Sequence, residues 1–120
     1  MFIAAAAPSF KEKDRALIAW YRRAVASQPG ITVRLNTEVR DVASLDADEV
    51  VVATGAQARK LPVRGISRAM DAVDYLLGRP VGRRVVVVGG GLTGCEIAYD
   101  LYGKGHEPVI LEMKDDLIAV

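Results

Sequence analysis

The residues best suited to chemistry in this chain gather around a run of glycines. Gly89-Gly90-Gly91-Leu92-Thr93-Gly94 satisfies G-x-G-x-x-G, and an acidic residue, Glu112, stands 23 positions after Gly89. Gly89 would permit a tight turn. Gly91, lacking a Cβ, would let a pyrophosphate approach the backbone. Gly94 would let a helix pack closely on a strand. The first amides of such a helix offer free N–H groups and a partial positive charge to phosphate. A carboxylate at 112 accepts hydrogen bonds from ribose hydroxyls and repels a 2′-phosphate, which predicts NAD(H) in preference to NADP(H). Lys114 would offset part of that repulsion. The glycines alone fit any tight turn. Their register with a valine strand before, a helix after and an acid closing the next strand makes the dinucleotide reading the stronger one.

The other reactive side chains carry less. Cys95 is the one cysteine, and a thiol near a helix N-terminus can ionise early. No second thiol exists to resolve a disulfide, so Cys95 reads as a small packing residue. His106, the one histidine, precedes a strand and reads as a surface residue. No ligand set for zinc or an iron–sulfur cluster is present, and no side chain presents itself as a catalytic nucleophile or proton donor. Hydride transfer needs none, because the cofactor supplies that chemistry.

The elements that must position the glycines follow from pattern. Val85 to Val88 is a buried strand, Leu92 to Lys104 a helix with Ile97, Ala98, Leu101 and Tyr102 inward, and Val109 to Leu111 another strand. Pro108 sits where that strand begins, a position that tolerates proline. Upstream, Ser9-Phe10-Lys11-Glu12 fits a capping box opening a helix, with Leu17, Trp20, Tyr21 and Ala24 as its apolar stripe. Ile31, Val33 and Leu35 alternate as a half-buried strand, and Val50 to Ala53 reads as a fully buried one, ended by Thr54-Gly55. Asp71 to Leu77 is a short helix closed by Gly78. The pattern predicts an α/β fold: a Rossmann-like three-layer unit with a mainly parallel sheet, packed as one compact body.

Composition is compatible with this. The chain has 120 residues, 51% hydrophobic and 26% charged, with a net charge of +1. That balance argues against a nucleic-acid surface, which needs a basic patch. The apolar runs are too short for a membrane span, and the alanine-rich N-terminus lacks the basic start of a signal peptide. A lone free cysteine fits a reducing, cytoplasmic setting.

GRRVVVVGGGLTGCEIAYDLYGKGHEPVILEM (82–113) resembles the NAD(P)H-binding segment of flavoprotein reductases with two dinucleotide-binding domains. Gly89, Gly91, Gly94 and Glu96 match their GxGxxGxE pattern. DEVVVATGA (48–56) resembles the strand that ends in ATG within the FAD domain of the same proteins. AAAAPSFKEKDRALIAWYRRAV (4–25), ITVRLNTEV (31–39) and AVDYLLG (72–78) resemble the C-terminal region of reductases related to old yellow enzyme. These include 2-enoate reductase, 2,4-dienoyl-CoA reductase and trimethylamine dehydrogenase, with the enoate reductases the nearest in character. Proline at 108, where a β-branched residue is usual, is a departure.

The resemblance implies residues 1–66 as the end of the first FAD-domain segment and 67–120 as the start of the NAD(H) domain. It implies Gly89, Gly91, Gly94 and Glu112 around the dinucleotide, Thr54 and Gly55 beside FAD, and Glu96 near the flavin–nicotinamide contact. The FMN barrel and the iron–sulfur cluster of such proteins lie outside this sequence, so the expectation is an inactive fragment of a larger enzyme. A sheet cut in that way, with the apolar stretch Phe2 to Ala7, is expected to self-associate as a homodimer. A disulfide reductase or monooxygenase-type flavoprotein shares these fingerprints, and a non-catalytic nucleotide-binding module is the alternative of another class.

Overall fold

A computed structural model describes residues 2–59 and 61–118. The ordered heart is a βαβ unit: β1 (Arg84–Val88), α4 (Leu92–Gly103) and β2 (Glu107–Leu111). It is preceded by α1 (Phe2–Ala5), α2 (Glu12–Ser27) and α3 (Ala72–Leu76), with single 3-10 turns at Val42–Ser44 and Ile66–Arg68. β1 and β2 pair in parallel, Val85 opposite Pro108 and Val87 opposite Ile110. The unit is therefore α/β and Rossmann-like, with a parallel sheet of two strands among the described residues.

Valine-rich β1 favours a pleated, half-buried surface. Its Val85 and Val87, with Pro108 and Ile110 of β2, turn toward α4, which presents buried Ile97, Ala98 and Leu101. α4 closes on a left-handed glycine. Gly105 has φ +84°, its N–H donates to the Tyr102 carbonyl, and the His106 N–H donates to that of Leu101. This pair of bonds is the Schellman ending that glycine makes accessible. The opposite sheet face carries Val86, Val88, Val109 and Leu111, all exposed, so helix covers the sheet on one side among the described residues.

Several expectations give way here. Tyr102 points outward, and Asp100 takes its place inside at 5% exposure. The Asp100 carboxylate accepts from the Tyr75 hydroxyl at 2.7 Å and from Lys104 Nζ at 2.5 Å, fastening α3 to α4. Such partners make a buried carboxylate tolerable. Ser9 does not cap α2: Lys11 is the N-cap residue and gives no side-chain bond. Instead the Arg15 guanidinium reaches back to the carbonyls of Ala6, Pro8 and Ser9 and holds the α1–α2 turn. On α2 the stripe of Leu17, Trp20 and Tyr21 is exposed, while Ala24 and Ile18 are partly covered.

Residues 31–35 and 50–53 form no strand. A strand exists only through a ladder to a neighbour, and neither segment has one: both run as irregular chain with Leu35, Val51 and Val52 among the most exposed apolar side chains. The expected compact body is absent for the same reason. The radius of gyration is 18.5 Å, against roughly 14 Å for a compact domain of this length.

Candidate functional site

β1 delivers the chain into the glycine run, and the turn is made at Gly89, whose φ of +108° suits glycine alone. Its N–H donates to the Leu111 carbonyl, so the turn stays tied to the end of β2. A Cβ at Gly94 would lie 1.9 Å from the Gly89 carbonyl oxygen, so only glycine lets α4 approach the turn this closely. A Cβ at Gly91 would meet nothing within 4 Å. That open side is where a ligand could reach the backbone. Gly91 is also the N-cap of α4 and, with no side chain, leaves the helix uncapped. The Leu92, Thr93 and Gly94 amides have no acceptor among the described residues. An uncapped helix start of this kind favours an anion. Beside it lies an open groove of about 340 Å³, lined by Val87, Gly89, Gly91, Thr93 and Ile97 together with Ala72 of the α3 turn.

Glu112 closes the other flank. Its Oε2 accepts from the Gly90 N–H at 2.6 Å, and its Oε1 accepts from the Met113 and Lys114 N–H groups at 2.7 and 2.9 Å. Donation from the Lys114 amide first, then from Gly90 and Met113, holds its carboxyl below the usual carboxylate range. The group is thus an anion at neutral pH. Gly89, Gly91, Gly94 and Glu112 stand together around one turn.

The remaining candidates fall elsewhere. Glu96, on the first turns of α4, forms an ion pair with Lys11 at 2.5 Å, and both side chains are about four-fifths covered. Lys11 carries no local sequence signal, because its partner is so distant in the chain. Thr54 and Gly55 are exposed and make no hydrogen bond among the described residues. Gly55 has φ +85°, a left-handed conformation that suits glycine. The Cys95 thiol is half-buried and donates to the Gly90 carbonyl at 3.3 Å. His106 is partly covered rather than free at the surface, with Nδ1 2.9 Å from the Gly82 carbonyl oxygen. No helix is long and apolar enough to cross a membrane among the described residues.

Comparison with known proteins gives this geometry a family. The chain is similar to the cinnamate reductase of Clostridium sporogenes, 39% identical over 94% of this chain and 17% of that protein. It is similar to the NADH oxidase of Thermoanaerobacter brockii, 34% identical over 96% of this chain and 19% of that protein. It is also similar to the ferredoxin reductase component of a chlorobenzene dioxygenase from Cupriavidus sp., 36% identical over 83% of this chain and 28% of that protein. The chain thus spans less than a fifth of the length of the first two relatives. No solved structure gives a significant match. The family model of the pyridine nucleotide-disulphide oxidoreductases matches residues 41–120, and the chain belongs to that family.

Proposed function

We propose that this chain supplies part of the NAD(H)-binding unit of a flavin-dependent oxidoreductase of the enoate reductase type, a relative of the reductases allied to old yellow enzyme. The observation that carries the reading is the turn itself. Three residues with unpartnered amides at the start of α4 line an open groove, and an ionised Glu112 stands beside the same turn. In this reading the amides of Leu92, Thr93 and Gly94 hold the pyrophosphate, Gly91 gives it room, and Glu112 faces the adenosine ribose. Bound NADH supplies a hydride for a flavin. The chain's own residues bind and orient, and none acts on the substrate. Lys11 keeps the Glu96 carboxylate in place for its role near the flavin–nicotinamide contact, and Thr54 with Gly55 lie beside FAD.

Residues 1–66 then belong with the FAD domain and 67–120 with the NAD(H) domain. FMN and an iron–sulfur cluster belong to other parts of such an enzyme. The similarity to a cinnamate reductase supports an activated alkene as the substrate class. A cytoplasmic setting fits the free Cys95. The chain on its own is proposed to bind without turnover, and to pair as a homodimer through its exposed sheet.

Calorimetric titration with NADH and NADPH tests the reading. NADH binds more tightly, and Glu112→Ala narrows the gap, because a 2′-phosphate no longer meets a carboxylate. Equal or tighter NADPH binding by the unaltered chain overturns the assignment.

A further inference from the structure

The G-x-G-x-x-G pattern leaves position 90 free, yet the structure makes it the most closely held residue of the turn. Gly90 is buried. Its N–H is taken by Glu112, and its carbonyl accepts from the Ile118 N–H at 2.9 Å as well as from the Cys95 thiol. A Cβ at this position would lie 2.6 Å from Leu117 Cδ2 and 3.0 Å from Glu112 Cβ. Position 90 has no left-handed φ, so its backbone suits any residue. Space is what limits a side chain here: residues 112–118 take it up, and an added Cβ would push the Leu117 side chain aside and press on Glu112.

We propose that residues 112–118 form a strap that positions the glycine turn for the dinucleotide, with Glu112, Leu117 and Ile118 converging on Gly90. The proposal rests on the nucleotide reading above and adds positioning residues to it. The strap touches the turn at one point. A Cβ placed at Gly89 or Gly91 meets nothing within 4 Å, so the side facing the free amides of α4 stays open. A strap arranged in this way braces the turn without filling the groove. Both polar groups of Gly90 are bonded across the chain, which fixes the peptide plane that leads into Gly91 and the α4 N-terminus. Glu112 therefore acts twice, since the carboxylate that would meet the ribose also anchors the turn.

Two variants of the full chain separate the possibilities. Gly90→Ala drives a methyl group against Leu117 and Glu112. Leu117→Ala removes the packing while adding nothing to the turn, and remains informative if the first variant fails to fold. Amide exchange and ¹⁵N chemical shifts are read at residues 90–94, 117 and 118, with and without NADH. The expected result is faster exchange at Ile118 and altered shifts at Leu92 to Gly94 in the absence of nucleotide. Loss of a charge-assisted anchor lowers NADH affinity by roughly tenfold for Gly90→Ala, and less for Leu117→Ala. If Ile118 is released while the Leu92 to Gly94 amides keep their shifts, the strap positions nothing and the proposal is overturned. If the unaltered chain binds no NADH, the nucleotide reading fails, and those same shifts still decide whether the strap braces the turn.

Discussion

Gly94→Ala is the sharpest probe of how the turn is built. The added Cβ would stand 1.9 Å from the Gly89 carbonyl oxygen and 3.0 Å from its carbon. Cβ–oxygen contacts under 3.0 Å are essentially unknown, so α4 and the turn must part by about 1 Å. Backbone lies on both sides, and no side chain can rotate out of the way. Overpacking of this kind costs about 1–3 kcal/mol, and a clash with backbone belongs at the top of that range. Alanine returns about 1 kcal/mol in helix propensity. The net loss of about 2 kcal/mol lowers the melting temperature by roughly 6–12 °C in a chain of this size. Moving the start of α4 by that distance also weakens NADH binding more than roughly tenfold, since its amides no longer converge on one phosphate. Gly103→Ala in the same helix is the control: no atom lies within 4 Å of its added Cβ, and the melting temperature holds or rises. Circular dichroism melts with NADH titration read both variants. A Gly94→Ala chain that melts at or above the original temperature refutes the packing argument.

Other outcomes follow from the same contacts. Leu101→Ala empties the one large side chain that is fully buried among the described residues and costs about 2–5 kcal/mol in a denaturant titration. Glu112 holds its proton less tightly in the folded chain, so its contribution is complete above the ordinary carboxylate range and is lost as pH falls through the lowered value. The Gly90 amide resonance reports that loss directly, and a shift independent of pH contradicts the clasp. Tyr75, through burial and then Asp100, and Lys104, chiefly through its bond to Asp100, both hold protons more tightly when folded. Stability therefore declines as pH climbs past the ordinary values of 10.0 and 10.5, and Asp100→Asn flattens that decline in melts across alkaline pH.

Residues 82–113 are legible because their signals are local. A valine run, a left-handed glycine, a helix and its glycine ending each act within a few residues, and together they define the turn around Gly89. The Gly94 requirement also follows from spacing alone. What escapes the sequence depends on distant partners. Nothing near Asp100 announces Tyr75, 25 positions away, so helical spacing favours the outward tyrosine at 102 as the inner residue. Lys11 and Glu96 meet for the same kind of reason. The alternation of Ile31, Val33 and Leu35 describes a face suited to burial, and the run from Val50 to Ala53 a strand to be covered twice. Neither pattern says which strand would pair with it, and neither segment is paired here. Ser9 has the right spacing for a cap, but three carbonyls held by Arg15 set the turn instead.

Pro108 makes the two edges of the small sheet unequal. Glu107 donates its N–H to the Arg83 carbonyl, and the Gly89 N–H returns to Leu111, so alternate residues of β2 face β1. Position 108 falls between them and faces the far edge, where proline has no hydrogen to offer. A newcomer strand on that side meets a missing rung at its first register. The free edge of β1 keeps the donors of Arg84, Val86 and Val88, none of which is proline. The β1 edge therefore offers an unbroken set of donors, whereas the β2 edge lacks one rung at Pro108 and keeps the Ile110 donor.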